Sequence, residues 1–367
     1  MNLFLRCIDQ HEKRVVFILF VLFLFIEAFF FIKLGVRTSW DTVEYINGSK
    51  AILNFELPSS TYLSYISYSF FLAIFFGLGG TIKAIVIAQI IVASIALYCF
   101  HLLAKQYLGL YFGLLASVLF AIWPSVRFWD SYIYTESLFT SSLVICLYLL
   151  LNNKKWAGIG VFIFTLFVRP PGLVFGFSIL FTVLVSDAKP AIRVWLLLSL
   201  LALTTVFLIV FDQFAATLIT SYAKGEVIFP DVLVSIKAFT IMIPKPSFNH
   251  YLEVFLFIVL NPILFLKLFL IKVCYFIFGI KPYYTLSHNL FNFSSQFLLI
   301  LFSGIAIFSK STDFKSKLFV SVFIGLTILM VGFTTENWDG RFLVPIMPIL
   351  IISACVGFRL VFRKLSH

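Results

Sequence analysis

The chain has 367 residues, 62% of them hydrophobic and 12% charged, with a mean hydropathy of +1.07. Soluble domains are about half apolar and about a quarter charged, so this composition excludes an ordinary soluble fold and specifies a polytopic, all-α membrane protein. The net charge of +11 comes from basic residues scattered singly between apolar runs, which argues against a nucleic-acid partner.

A membrane crossing needs about 20 apolar residues. The runs that qualify, in chain order, are 15–36, 82–103, 109–124, 137–151, 192–211, 290–308, 318–334 and 342–362. Two shorter runs, 157–168 and 171–186, flank Arg169-Pro170-Pro171 and read as two spans meeting at a polar break. That makes about ten spans. The first run lacks a small-residue cleavage site, so it reads as a span rather than a signal peptide. With the N-terminus inside (Arg6, Lys13, Arg14), every inside loop is basic: Lys105; Lys154 and Lys155; Lys189 and Arg193; Lys310, Lys315 and Lys317; then Arg359, Arg363 and Lys364. A bacterial cytoplasmic membrane, with both termini cytoplasmic, is the expected location.

Two outer segments are apolar as well. Residues 62–79 read as an interfacial or re-entrant helix, because a full crossing there would reverse the positive-inside pattern. Residues 252–280 read as interfacial; a helical hairpin in their place raises the count to 12. The first outer loop is then 37–81 and the large one 212–289, within a single transmembrane domain, 1–367. Acidic residues Asp41, Glu44, Glu56, Asp130, Glu136, Glu226, Asp231, Glu253, Glu336 and Asp339 all fall outside or at the outer boundary. Acidic residues hardly influence insertion, so this bias points to chemistry on the outer face.

Along the chain, Glu27 sits mid-span and needs a partner from another helix, in a functional or a structural role. Asp41 and Glu44 follow the first span at spacing i, i+3. Asp41 as helix N-cap with Glu44 closing a capping box and Asp41 as a catalytic carboxylate are equally open. Trp129, Tyr132 and Tyr134 read as an interface belt, and Glu136 as a helix-start residue. Arg169 needs an anion, either a protein carboxylate or a phosphate. Arg341 poses the same choice, with Asp339 or Glu336 as protein partners. His101, His250 and His288 are isolated. Cys7, Cys99, Cys146, Cys274 and Cys355 carry no metal spacing and read as buried small hydrophobes.

These pieces have an order: Asp41 and Tyr45 after the first span; Thr135, Glu136, Leu138 and Phe139 opening a later one; Arg169-Pro170 between short spans; then Arg341, Phe342, Pro345 and Pro348. The ordered set resembles the GT-C superfamily of integral-membrane glycosyltransferases, closest to the branch of protein O-mannosyltransferases (family 39) and aminoarabinose transferases, over roughly 37–360. The resemblance implies transfer of a sugar from a polyprenyl-phosphate donor to a glycan, lipid or protein hydroxyl, with inversion. It implies Asp41 as base and Glu136 at the same cavity, beside Glu44 and Tyr45, with Asp130 a weaker candidate. Arg169 and Arg341 take the lipid phosphate, with Glu336 and Asp339 nearby. No cofactor is required, and a divalent metal is left open. The chain lacks the family's large soluble C-terminal domain, so acceptor recognition falls to the outer loops. Two rivals share the composition: an oligosaccharide polymerase or ligase using a diphosphate-linked donor, and a lipid-linked sugar flippase or transporter.

Overall fold

The computed structural model describes residues 11–58, 60–186, 189–245 and 249–365. Cys7 and Arg6 lie outside the described residues. The fold is nearly all-α. Six helices among the described residues are long and apolar enough to cross a membrane, and a bent pair can supply a seventh. These are the marks of an integral membrane protein. Contacts divide the chain into two compact units, 1–172 with 299–312 and 344–367, and 173–298 with 313–343.

In the first unit, α1 (Glu12–Leu34) buries Leu19, Phe23 and Glu27, one residue per turn on a single stripe. Its other faces carry exposed Phe17, Ile18, Phe25 and Ile32. A helix apolar all round that buries only a stripe is built for lipid. After a short extended link comes α2 (Trp40–Leu53), then a 3-10 turn and α3 (Ile66–Gly77), the short helix expected within 62–79.

Helix α4 (Ile82–Ile122) is 41 residues long but is not one rod. Gly109 inside it has φ 76° and ψ 176°. Residues on either side then close on each other: the Phe100 and Phe120 rings stack at 4.5 Å, and His101 Nδ1 lies 3.1 Å from Ser117 Oγ. A Cβ on Gly113 would sit 2.8 Å from the backbone of Lys105. The chain therefore reverses at Gly109, giving two antiparallel arms, 82–108 and 110–122, with Lys105 near the turn. The reversal falls between the two apolar runs 82–103 and 109–124, though the second arm is much shorter than a crossing needs. The φ/ψ pair at Gly109 is essentially restricted to glycine, and such strain costs about 1–3 kcal/mol. Gly109→Ala is expected to lose that much stability although no atom lies within 4 Å of the new methyl group; chemical unfolding in detergent measures it.

Beyond α5 (Pro124–Arg127), α6 (Thr135–Leu151) and α7 (Lys155–Leu166) form a second hairpin, with Cys146 Sγ 3.8 Å from the Gly158 carbonyl. Twelve residues of α7 reach ~18 Å, short of the ~30 Å hydrocarbon core. The turn at Arg169-Pro170 leads into α8 (Pro171–Ser186), as the two prolines predict.

In the second unit, α9 (Pro190–Lys224) overruns its expected end by thirteen residues. The large outer loop is therefore helical where it begins, a correction to the 212–289 boundary. Ala215, Leu218, Ile219 and Tyr222 lie at helical spacing on its inner face and pack with Val254, Phe257, Leu264 and Leu268. A small hairpin, β1 (Glu226–Ile228) and β2 (Val232–Leu233), interrupts the all-α pattern.

The run 252–280 forms two helices, α10 (His250–Leu260) and α11 (Pro262–Phe278), bent by 105° at Asn261. The bend is that of a broken span or a re-entrant loop rather than of one continuous helix. At the break, Asn261 Nδ2 donates to the Phe257 carbonyl at 2.9 Å, and the same side chain grips Met242: Nδ2 donates to its carbonyl at 2.7 Å and Oδ1 accepts from its N–H at 2.9 Å. Helices α12 (Leu286–Phe308), α13 (Phe314–Gly332) and α14 (Met347–Leu365) complete the chain. Cys99, Cys146 and Cys355 are buried as expected, whereas Cys274 is exposed.

Candidate functional site

In the first unit, the segments around Asp41, Glu136 and Arg169 meet. Ser39 N–H donates to Thr42 Oγ1 at 3.0 Å, and Thr42 N–H returns to the Ser39 carbonyl at 3.0 Å. Ser39 and Thr42 therefore open α2, and Asp41 is its second residue. This corrects the reading of Asp41 as N-cap with Glu44 as the reciprocal residue. Asp41 stands in the first turn, where the helix dipole favours a negative charge. Asp41 and Glu44 are half-buried, while Tyr45 is buried.

Two links fix this turn against the segment before α6. Arg37 and Tyr132 form a parallel bridge, with Arg37 N–H donating to Ser131 O and Ile133 N–H to Arg37 O, both at 3.0 Å. Thr42 Oγ1, already holding Ser39, donates to Ile133 O at 3.1 Å. Tyr45 completes the junction by packing its ring against Tyr65, Tyr68 and Tyr134 at 5.3, 5.1 and 5.8 Å. Trp129 and Tyr134 are fully buried here, so they are core and not an interface belt. Their rings hold the loop rigid by edge and face contacts.

Glu136, the second residue of α6 and fully buried, pairs with Arg169 Nη1 at 3.0 Å. Thr135 Oγ1 donates to Glu136 Oε2 at 3.3 Å. A protein carboxylate is thus one partner of Arg169. Asp130 has a separate partner set: Arg127 Nη1 lies 2.9 Å from Asp130 Oδ2 and 3.1 Å from Glu27 Oε1, and Ser137 Oγ donates to Asp130 Oδ1. Glu27 finds its partner on another helix, and the triad ties α1, α5 and the start of α6 together. Asp130 is buried in that triad.

Gln89 was not singled out from sequence. It stands mid-arm in α4, accepts from Tyr68 O–H at 2.8 Å and donates to the Tyr132 carbonyl at 2.7 Å. An amide in an apolar run is the signal that marks it, as the carboxylate marks Glu27.

The remaining candidates lie in the second unit. Arg341 is buried with its guanidinium 4.9 Å from the Trp338 ring. Asp339 has φ 47°, in the left-handed region, and its Oδ1 accepts from Tyr284 O–H at 3.0 Å. Glu336 N–H donates to Thr334 Oγ1 at 3.1 Å. Lys281, also missed from sequence, is buried and donates to the Asn337 carbonyl at 2.6 Å. Burial pulls its ammonium down to about 7, partly opposed by the Asp339 charge. Burial likewise pushes the Tyr283 hydroxyl up to about 12.

The depressed lysine has a consequence for stability. Between about 7 and the ordinary lysine value the unfolded chain binds more protons than the folded one, so stability rises with pH across that window. Thermal unfolding of the wild type is expected to shift upward from pH 7 to 9.5, and Lys281→Met is expected to flatten that slope. The tyrosine shift acts above pH 10, with opposite sign.

Among the described residues, no group of three or more His, Cys, Asp or Glu side chains is arranged to hold a metal ion. No family model and no curated protein matches the chain.

Proposed function

We propose that the chain is an integral-membrane glycosyltransferase of GT-C type. In this reading it moves a sugar from a polyprenyl-phosphate carrier to an acceptor hydroxyl at the extracytoplasmic face. The observation that supports it is the convergence, in one unit, of motifs spread over 130 residues of sequence. Arg37 and the first turn of α2 are bonded to 131–133, three residues before Glu136, and Glu136 is bonded to Arg169.

The chemistry follows from residue types. Asp41 accepts the proton of the acceptor hydroxyl as its oxygen attacks the anomeric carbon. The bond from that carbon to the carrier phosphate breaks, its electron pair leaving with the phosphate. One displacement inverts the centre, as with single-step glycosidases. The phosphate is already a good leaving group, so positive charge in a water-poor setting helps more than a general acid. Arg169 supplies that charge and Glu136 orients it. The assignment of Arg341 to the donor phosphate rests on the resemblance alone. The proposed topology has ten traverses, both termini cytoplasmic, with the arms of α4 counted separately and α7 the shortest.

The test is transfer by the purified full-length protein in lipid nanodiscs, with a panel of polyprenyl-monophosphate and polyprenyl-diphosphate sugars. Transfer from a monophosphate carrier is the expected result. Transfer confined to diphosphate-linked oligosaccharides would move the assignment to a polymerase or ligase, and carrier movement across the bilayer without transfer would move it to a flippase.

A further inference from the structure

Helix α2 ends in a way that its sequence does not favour. Glu56 N–H donates to the Ala51 carbonyl at 2.8 Å and Phe55 N–H to the Ile52 carbonyl at 3.1 Å, which closes the helix with Phe55 at φ 59°. Glycine is the ordinary residue at that position, because a Cβ is disfavoured in the left-handed region. The apolar contact that often accompanies this closure is absent too, since its positions are held by Glu56 and Ala51. Phe55 is 100% exposed, so its ring gains no packing from the protein to offset the strain.

The ring has apolar company. Leu57 is 83% exposed and Leu53 is exposed as well. Pro58 is buried and turns the chain back, its Cβ 3.8 Å from where a Cβ on Gly48 would stand. Residues 53–57 therefore form a closed tip. Leu53 Cδ2 lies 3.1 Å from the Cβ position of Gly77, which puts that tip beside the end of α3. There Leu78, 82% exposed, finishes a stripe begun by exposed Phe70 and Ile74 at helical spacing.

Position says what covers this surface. Thr81, three residues after Leu78, opens α4, whose first arm is long and apolar enough to cross a membrane. Exposed Ile87, Ile91 and Ile95 give that arm an apolar stripe suited to lipid. The tip thus stands where the arm begins, at the edge of the bilayer. Exposed Lys50, Asn54, Glu56 and Lys83 are interleaved with the apolar side chains. Such a mixture fits the headgroup level, where apolar groups reach the acyl boundary and lysines meet phosphates. We infer that residues 53–57, with Leu78, form a lipid-anchoring surface that inserts into the headgroup–acyl boundary beside α4. Helix α2 is then held at both ends, by the Thr42 bond to Ile133 at its start and by the bilayer at its end, which sets the height of Asp41.

The anchor requires no transfer activity, and its test reads lipid contact directly. Full-length protein carrying Cys7→Ser and Cys274→Ser is placed in proteoliposomes of phosphatidylethanolamine and phosphatidylglycerol. A nitroxide is attached in turn at Phe55→Cys, Leu57→Cys and Leu78→Cys, with Ser311→Cys in a polar loop as control. Collisions with oxygen, which concentrates in lipid, are compared with collisions with a water-soluble nickel chelate. Oxygen is expected to dominate at 55, 57 and 78, and nickel at 311. Phe55→Gly supplies the residue that the closure prefers, so it is expected to melt no lower than wild type in detergent. In the same variant the label at 57 is expected to shift toward the nickel chelate. Dominance of nickel at 55 and 57 would overturn the anchor. So would labels shielded from both reagents, which would mark a protein contact, or spin–spin broadening that fades on dilution with unlabelled protein, which would mark a contact between copies. A Phe55→Gly protein that melts lower, or that leaves the label at 57 as deep as before, would also overturn it.

Discussion

Replacing Asp41 with Asn is expected to lower transfer about 10²–10⁴-fold, the usual contribution of a positioned general base. The substitution is nearly isosteric, and the turn it sits in is held by other residues: Ser39 and Thr42 open the helix, and Thr42 anchors it to Ile133. Folding should therefore be preserved, since Asn keeps the shape of the side chain and the helix start is held by Ser39 and Thr42. The measurement is single-turnover transfer with the carrier-linked sugar, alongside thermal unfolding. An Asp41→Asn protein that melts normally and transfers at the wild-type rate would exclude Asp41 as base. Thr42→Val is the complementary variant. It removes the anchoring hydroxyl, so it should lower both melting temperature and transfer.

The second large effect belongs to the Glu136–Arg169 pair. Both side chains are almost completely buried, 3.0 Å apart. Removing one partner of such a pair leaves an uncompensated buried charge and costs about 3–5 kcal/mol. Arg169→Met is thus expected to destabilise by that amount. The double variant with Glu136→Leu should recover much of the loss, because neither charge is then stranded. A double-mutant cycle in detergent unfolding gives the coupling directly. If Arg169→Met left stability untouched and only raised the apparent KM for the donor, the arginine would act on phosphate without a structural role.

What could be read from sequence follows the range of the forces involved. The apolar runs, the prolines at 170 and 171 and the short helices around 62–79 and 157–186 are local signals, and helices form there, although α9 continues past its run. Gly109 belongs with them: the two runs beside it anticipated a reversal that its backbone angles allow. Residue 136 was legible as a carboxylate at a helix start, but its choice of Arg169 was not, because that contact depends on how three helices pack. The aromatic residues at 129 and 134 went wrong for a related reason. A belt and a core use the same side chains, and only burial separates them. The bend at Asn261 was equally hidden. A lone Asn before Pro262 is a common helix cap, and its second use, gripping Met242 from nineteen residues upstream, needs the extended segment to be in place. Lys281 and Asn337 escaped notice because a single lysine or amide in a polar loop is ordinary, and only their burial makes them unusual.

The short parallel bridge between Arg37 and Tyr132 carries a consequence for how the protein is made. Asp41 leaves the ribosome early, but its backbone anchor is translated some ninety residues later, after both arms of α4. Until then the first turn of α2 has no partner at Ile133, and Tyr45 lacks Tyr134. Biosynthesis therefore completes Asp41's surroundings in the order α1, α4, α6, and a nascent chain arrested before residue 132 should expose α2 to protease while α1 is already in the bilayer. The carboxylate is early in the gene and late in the fold.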